Sequence, residues 1–192
     1  ADAYVREGNW RTSNMHLVTR FHGKKVGIVG MGRVGTALAR RAVAFGCGIS
    51  YFDIAPRTDL PYPFVADLVE LARSSDFLIV TLSGGKKTKN SINSEVLHAL
   101  GPDGFLINIS RGSTVDEAAL LEALENNTIK GAGLDVFCNE PDIDQRFLSL
   151  TNVVLQPHHA SGTVETRKAM GQLVRENLAA HFSGRPLLTP VV

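Results

Sequence analysis

Short apolar runs alternate with segments of helical spacing along most of this chain, and glycines, prolines or charges punctuate the joins. Val26-Gly27-Ile28-Val29, Ile49-Ser50-Tyr51-Phe52, Phe77-Leu78-Ile79-Val80, Phe105-Leu106-Ile107-Asn108, Gly133-Leu134-Asp135-Val136 and Val153-Val154-Leu155 read as strands, most of them apolar enough to be covered on both faces. Between them, Val34, Leu38, Ala39, Ala42, Val43 and Phe45 recur at helical spacing up to Gly46. Short helices are expected from Ala66 to Arg73 and, capped by Asn93, from Ser94 to Leu100. Thr114-Val115-Asp116-Glu117 has the form of a capping box and leads into a helix from Ala118 to Leu124. A long amphipathic helix from Val164 to Phe182 carries Met170, Leu173, Val174, Leu178 and Ala180. Buried strands alternating with helices predict an α/β fold, a doubly wound parallel sheet with helices on both faces.

The two ends break this rhythm. Ala1 to His22 is polar with scattered anchors (Tyr4, Val5, Trp10, Met15, Leu17, Phe21) and reads as an N-terminal helix followed by an irregular arm. The tail from Gly184 to Val192 is apolar and bounded by Pro186 and Pro190, so it is expected to dock on something. The chain thus divides into 1–23, a helix and arm; 24–162, the sheet domain; and 163–192, the C-terminal helix and tail.

Composition narrows the function classes. A length of 192 residues suits one domain with extensions, and a formal net charge of +1 gives no footprint for nucleic acid or an acidic membrane surface. No apolar run is long enough to span a bilayer. The start, Ala1-Asp2-Ala3-Tyr4-Val5-Arg6-Glu7, lacks the order of a signal peptide and an initiator Met, and reads as a processed or truncated end. Cys47 and Cys138 form neither a disulfide framework nor a metal spacing, so two reduced thiols in a cytoplasmic protein and no metal are expected.

The turn Gly30-Met31-Gly32-Arg33-Val34-Gly35 follows the first strand and opens the first sheet helix. Gly30 permits the tight turn, Gly32 lets backbone approach a pyrophosphate at the helix N-terminus, and Gly35 lets helix and strand lie close. An acid, Asp53, ends the next strand eighteen positions after Gly35, where its carboxylate would accept from adenosine ribose hydroxyls and repel a 2′-phosphate. This is the pattern of a Rossmann dinucleotide-binding domain, with NADH favoured and NADP possible. Arg57 stands close enough to meet a 2′-phosphate, but Asp53 is the better-placed group, and Arg57 reads as a solvated loop charge.

Three later strand ends each offer a different reactive group, at the edge where α/β ligands bind. Arg111 presents a guanidinium that grips a carboxylate or polarises a ketone oxygen. His158 presents an imidazole able to protonate a carbonyl oxygen as hydride arrives, and His159 is a chemically equal candidate. Glu140 offers a carboxylate that would keep such an imidazole charged and set its tautomer. Asp135 would either accept from a nicotinamide amide or hold a neighbouring loop. A guanidinium, an imidazole, a carboxylate and a dinucleotide site together suit hydride transfer to or from a 2-oxo or 2-hydroxy acid.

The ordered set of motifs, from the glycine turn through Asn108-x-Ser110-Arg111-Gly112, Gly133-x-Asp135-Val136-Phe137-x-x-Glu140-Pro141 and Pro157-His158-x-x-x-x-Thr163, closely resembles the D-isomer-specific 2-hydroxyacid dehydrogenases. Arg6-x-Gly8-x-Trp10 and Pro186-Leu187-Leu188-Thr189-Pro190-Val191 fit the glyoxylate/hydroxypyruvate reductase branch. The resemblance implies that Arg111 binds the substrate carboxylate and keto group, that His158 is the acid/base and that Glu140 is its partner. Family register selects His158 over His159. It implies cofactor contacts from Gly30 through Gly35 (Met31, Gly32, Arg33 and Val34 between them), and from Asp53, Ser83, Asp135, His158 and Ser161. It further implies a homodimer in which the 1–23 arm lies on the partner, and a second, flavodoxin-like domain that this chain lacks and to which 163–192 would return. Ser83-Gly84-Gly85 departs from the proline or threonine common near the nicotinamide, and Cys138 takes a place where glutamate is frequent. Glu140 argues against the similar formate dehydrogenases, which carry glutamine there. The competing expectation is a dinucleotide-sensing, corepressor-like binding protein of the same family.

Overall fold

The computed structural model describes residues 1–190. Six parallel strands, β1 (Lys25–Val29), β2 (Gly48–Phe52), β3 (Phe77–Val80), β4 (Phe105–Asn108), β5 (Gly131–Leu134) and β6 (Val153–Leu155), form one sheet in the order β2-β1-β3-β4-β5-β6. The chain runs outward from β1 to β2, then crosses back to β3, so the strand order reverses at β1 and a crevice opens beyond the carboxyl ends of β1 and β3. Helices α1 (Asp2–Arg6), α2 (Arg33–Val43), α3 (Leu68–Arg73), α4 (Ser94–Leu100), α5 (Glu117–Glu125) and α6 (Val164–Phe182) complete the main elements. The doubly wound parallel sheet expected from the hydrophobic pattern is what forms.

The period of two along each strand sorts the core onto two faces. Val26, Ile28 and Ile79 pack with Ala39 and Ala42 of α2 and with Tyr51. Val29, Leu78 and Val80 pack on the other face with Leu71 of α3, Leu97 of α4 and Leu121 of α5. Each large aliphatic side chain buried this way contributes roughly 1.5–3 kcal/mol. The central strands are therefore rigid supports for whatever their carboxyl ends carry.

Several boundaries differ from the sequence reading, each for a local reason. Helix α3 begins at Leu68 rather than Ala66, because the Asp67 carboxylate accepts from the amides of Val69 at 2.7 Å and Glu70 at 3.2 Å. Helix α5 is capped by Asp116, which accepts from Ala119 N–H at 3.2 Å, and not by Thr114. Thr114 is buried and its hydroxyl donates instead to the Arg111 carbonyl at 2.7 Å. Strand β5 lies two residues earlier than expected, at Gly131–Leu134, where its small residues hide the strand pattern. Gly131 has to be small because a Cβ there would run into the Asn152 backbone.

Helix α6 forms over the expected span, but of its residues only Ala180 is buried, while Met170, Leu178 and Phe182 are exposed. The tail turns back along it: Asn177 exchanges hydrogen bonds with Thr189 at 3.0 and 3.2 Å. Val191 and Val192, the last residues of the tail, lie outside the described residues.

Candidate active site

The glycine turn sits at the strand-order reversal. Gly30 hangs from the sheet through its N–H to the Phe52 carbonyl at 2.8 Å and adopts φ 97°, a left-handed conformation that glycine accepts at little cost. A Cβ on Gly35 would collide with the Gly30 carbonyl, so the third glycine is what lets α2 begin this close to β1. Gly32 faces open space, and no side chain caps the first turn of α2. Its free amides are a ready site for the negative charge of a pyrophosphate.

Asp53, at the end of β2, accepts from Met31 N–H and from Ile54 N–H, both at 2.7 Å. Arg57 is the part-exposed loop charge expected, but its guanidinium is already engaged. Its Nη1 donates to the Met31 carbonyl at 2.9 Å, and its Nε donates to the Asp59 carboxylate at 2.8 Å. That hydrogen bond holds the Asp59 carboxyl below its ordinary value.

At the far side of the same sheet edge, His158 Nδ1 lies 2.6 Å from Glu140 Oε2. The other oxygen of Glu140 accepts from Phe137 N–H at 2.8 Å, which fixes the carboxylate plane. Burial pushes the Glu140 carboxyl up, but the His158 hydrogen bond, the Phe137 amide and the nearby charges of His158 and Arg111 outweigh it and hold it below its ordinary value. A carboxylate on Nδ1 leaves Nε2 as the nitrogen that meets a substrate. His158 holds φ 51°, a left-handed conformation that costs a non-glycine residue roughly 1–2 kcal/mol. Asp135 steadies this turn: its buried carboxylate accepts from the amides of His159 at 2.7 Å and Ala160 at 3.1 Å. The neighbouring His159 ring lies against Gly162.

Arg111 follows β4. Its Nη1 donates to the Ser110 carbonyl at 2.7 Å, and its stem packs on Gly84, where a Cβ would come within 2.8 Å of Cγ. Arg111, Arg33, Val34, Thr81, Ser83 and Gly84 line one cavity of about 760 Å³. A second, of about 520 Å³, runs beside the dyad and is walled by Phe137, Pro141, Ile143, Leu148, Leu155 and His158. The sequence reading missed Thr81, whose hydroxyl donates to the Gly30 carbonyl at 2.5 Å, and Glu117, which holds the β5 loop through Cys138 N–H at 2.9 Å. It also missed the purpose of Gly84, although the unusual Ser83-Gly84-Gly85 run marks the place. Ser161, Ser83 and the three strand-end groups all fall on this one carboxyl edge. Among the described residues, no cluster of three or more His, Cys, Asp or Glu is placed to hold a metal ion.

A doubly wound sheet with a glycine turn at its reversal and an imidazole–carboxylate pair on the same edge defines a dinucleotide-binding domain. Residues 1–160 match the family described as D-isomer specific 2-hydroxyacid dehydrogenase, NAD binding domain, and the chain belongs to that family. It is 53% identical over 191 residues to the hydroxyphenylpyruvate reductase of Plectranthus scutellarioides, covering 100% of this chain and 61% of that protein. It is 51% identical over 191 residues to the 2-ketogluconate reductase of Gluconobacter oxydans, covering 100% of this chain and 62% of that protein. The crystal structure of an NADPH-dependent glyoxylate/hydroxypyruvate reductase from Sinorhizobium meliloti, in complex with NADP and malonate, superposes with a TM-score of 0.95 at 49% identity, over 100% of this chain and 61% of that one. The chain thus spans about three-fifths of the length of the relatives it matches.

Proposed function

We propose that this chain carries the dinucleotide site and the proton donor of a reductase that converts small 2-oxo acids, of the glyoxylate or hydroxypyruvate kind, to 2-hydroxy acids. The observation that carries the reading is the 2.6 Å contact between His158 and Glu140, held on the sheet edge that bears the glycine turn. A bound nicotinamide supplies the hydride. His158 delivers the proton to the carbonyl oxygen from Nε2, Glu140 keeps the ring charged and oriented, and Arg111 binds the substrate carboxylate and keto oxygen. The turn from Gly30 to Gly35 takes the pyrophosphate, Asp53 the adenosine ribose, and Ser83, Asp135, His158 and Ser161 the nicotinamide side. Asp53 favours NADH, in contrast to the NADPH-dependent relative from Sinorhizobium meliloti.

In this reading 24–162 is the catalytic and cofactor unit, 1–23 the arm of a homodimer, and 163–192 the segment that packs against further protein. The His158 side chain is 47% exposed here, so water reaches the reacting centre, and this chain by itself binds cofactor but turns over poorly. A reducing, cytoplasmic setting suits its two free cysteines. The test is glyoxylate- and hydroxypyruvate-dependent oxidation of NADH by the enzyme carrying this chain and by its His158→Ala variant. The variant should lose on the order of 10²–10⁴-fold in kcat with its NADH affinity intact. Undiminished turnover would remove His158 from the chemistry and sink the assignment.

A further inference from the structure

The main chain of Met31, at the tip of the glycine turn, is gripped from two sides. Met31 N–H donates to Asp53, and the Met31 carbonyl accepts from Arg57 Nη1 at 2.9 Å. Arg57 therefore stands beside the acid that reads the adenosine ribose, where a guanidinium would suit a 2′-phosphate. The side-on fork of that guanidinium is already used. Nε and Nη2 close on the two oxygens of Asp59 at 2.8 and 2.5 Å, the paired geometry in which a phosphate would otherwise be held.

We propose that Asp59 is a cofactor-selectivity residue: by closing the fork of Arg57 it withholds that guanidinium from an adenosine 2′-phosphate and so reinforces the preference for NADH. The inference rests on the reading above that the glycine turn holds NADH. Two carboxylates, Asp53 and Asp59, against one guanidinium leave this corner with a net charge of −1, repulsive to a phosphate dianion. Without Asp59 the corner is neutral and the fork is open. Arg57 does not need Asp59 to stay in place. Its main-chain N–H donates to the hydroxyl of Tyr51 at 2.6 Å, Tyr51 is itself buried in the core, and the Arg57 Nη1 keeps the Met31 carbonyl. The pair is partly exposed, with side-chain accessibilities of 40% and 62%, so breaking it leaves the fold intact.

The experiment is calorimetric titration of this chain, its Asp59→Ala variant and the Arg57→Ala/Asp59→Ala double variant, each with NADH and with NADPH. Asp59→Ala should tighten NADPH about tenfold, the scale of one charge-assisted hydrogen bond gained, and leave NADH within about twofold. The gain should vanish in the double variant. Unchanged NADPH affinity in Asp59→Ala overturns the proposal, and so does a gain that survives without Arg57, because that would be a bare charge effect. The underlying cofactor reading fails separately, through the unmodified chain: tighter binding of NADPH than of NADH overturns the NADH preference, and binding of neither overturns both.

Discussion

Glu140 and His158 form the pair on which the proposed chemistry turns, and each is testable through the other. Glu140→Gln keeps the size and the Phe137 contact but removes the negative charge beside Nδ1. The expected result is a kcat loss on the order of 10²-fold or more with little change in cofactor affinity, measured by steady-state turnover and by NADH titration. The pH dependence follows from the direction of the Glu140 shift. Its folded value lies below the ordinary 4.5, so its contribution to stability is fully present above pH 4.5 and is lost as the pH falls through the depressed folded value. His158→Ala removes the hydrogen bond and charge that lower it while its burial persists, so the Glu140 carboxyl should titrate at higher pH in that variant, followed by carbon NMR of the carboxyl. An unchanged titration would show that His158 does not set its environment. At this scale the common sheet edge of Arg111, Glu140 and His158 was legible because each lies a few residues past a short apolar run. The hold of Asp135 on the neighbouring loop was open in the sequence because its partners are backbone amides, which no residue pattern displays. The engagement of Arg57 was hidden for the same reason: the Met31 carbonyl that holds it is invisible in a string of side chains.

Elements bring these residues into reach through close backbone approach. Gly112, just after Arg111, lies so near the Phe137–Cys138 peptide that an added Cβ would overlap it. The loops after β4 and β5, which carry Arg111 and Glu140, thus touch main chain to main chain. Gly112→Ala forces them apart, and because neither backbone is free to yield, a cost of about 3 kcal/mol is expected in denaturant unfolding, with a parallel fall in kcat. Native stability in that variant would refute the contact. Asp135→Asn tests the loop after β6: an amide nitrogen would face an amide N–H, one charge-assisted hydrogen bond is lost, and about 2 kcal/mol of stability should go with it. The strands β1, β3 and β4 were readable from their apolar runs, since burial on both faces leaves a signal in every residue. Strand β5 was misplaced by two residues because tight packing against Asn152 demands glycine, which carries no strand signal. The two faces of the sheet were implied by the alternation, but the cap of α5 went to Asp116 because Thr114 is consumed by the Arg111 turn.

The molecule as a whole leaves more apolar surface uncovered than its core requires, and it does so in two places. Val164, Met170, Leu178 and Phe182 line the outside of α6, and Val5, Trp10, Leu17 and Val18 stud the N-terminal arm. An amphipathic period alone marks α6 as half-buried, yet Ala180 is the one residue of the helix that is buried here. The arm supplies its own probe, since Trp10 is the single tryptophan of the chain and is 68% exposed. If the arm lies on a second copy, as the homodimer reading holds, indole fluorescence should move to shorter wavelength as the protein concentration rises and water leaves the ring. The change should track the rise of a dimer in sedimentation, because one event buries Trp10 and doubles the mass. Trp10→Ala should then weaken the dimer by about 2–4 kcal/mol, the range expected for a buried aromatic anchor, with the sheet domain unaltered by circular dichroism. A dimer that forms while the emission stays that of an exposed indole would place the contact elsewhere, on the uncovered stripe of α6. A chain that stays monomeric at micromolar concentration would remove the homodimer from the proposal altogether.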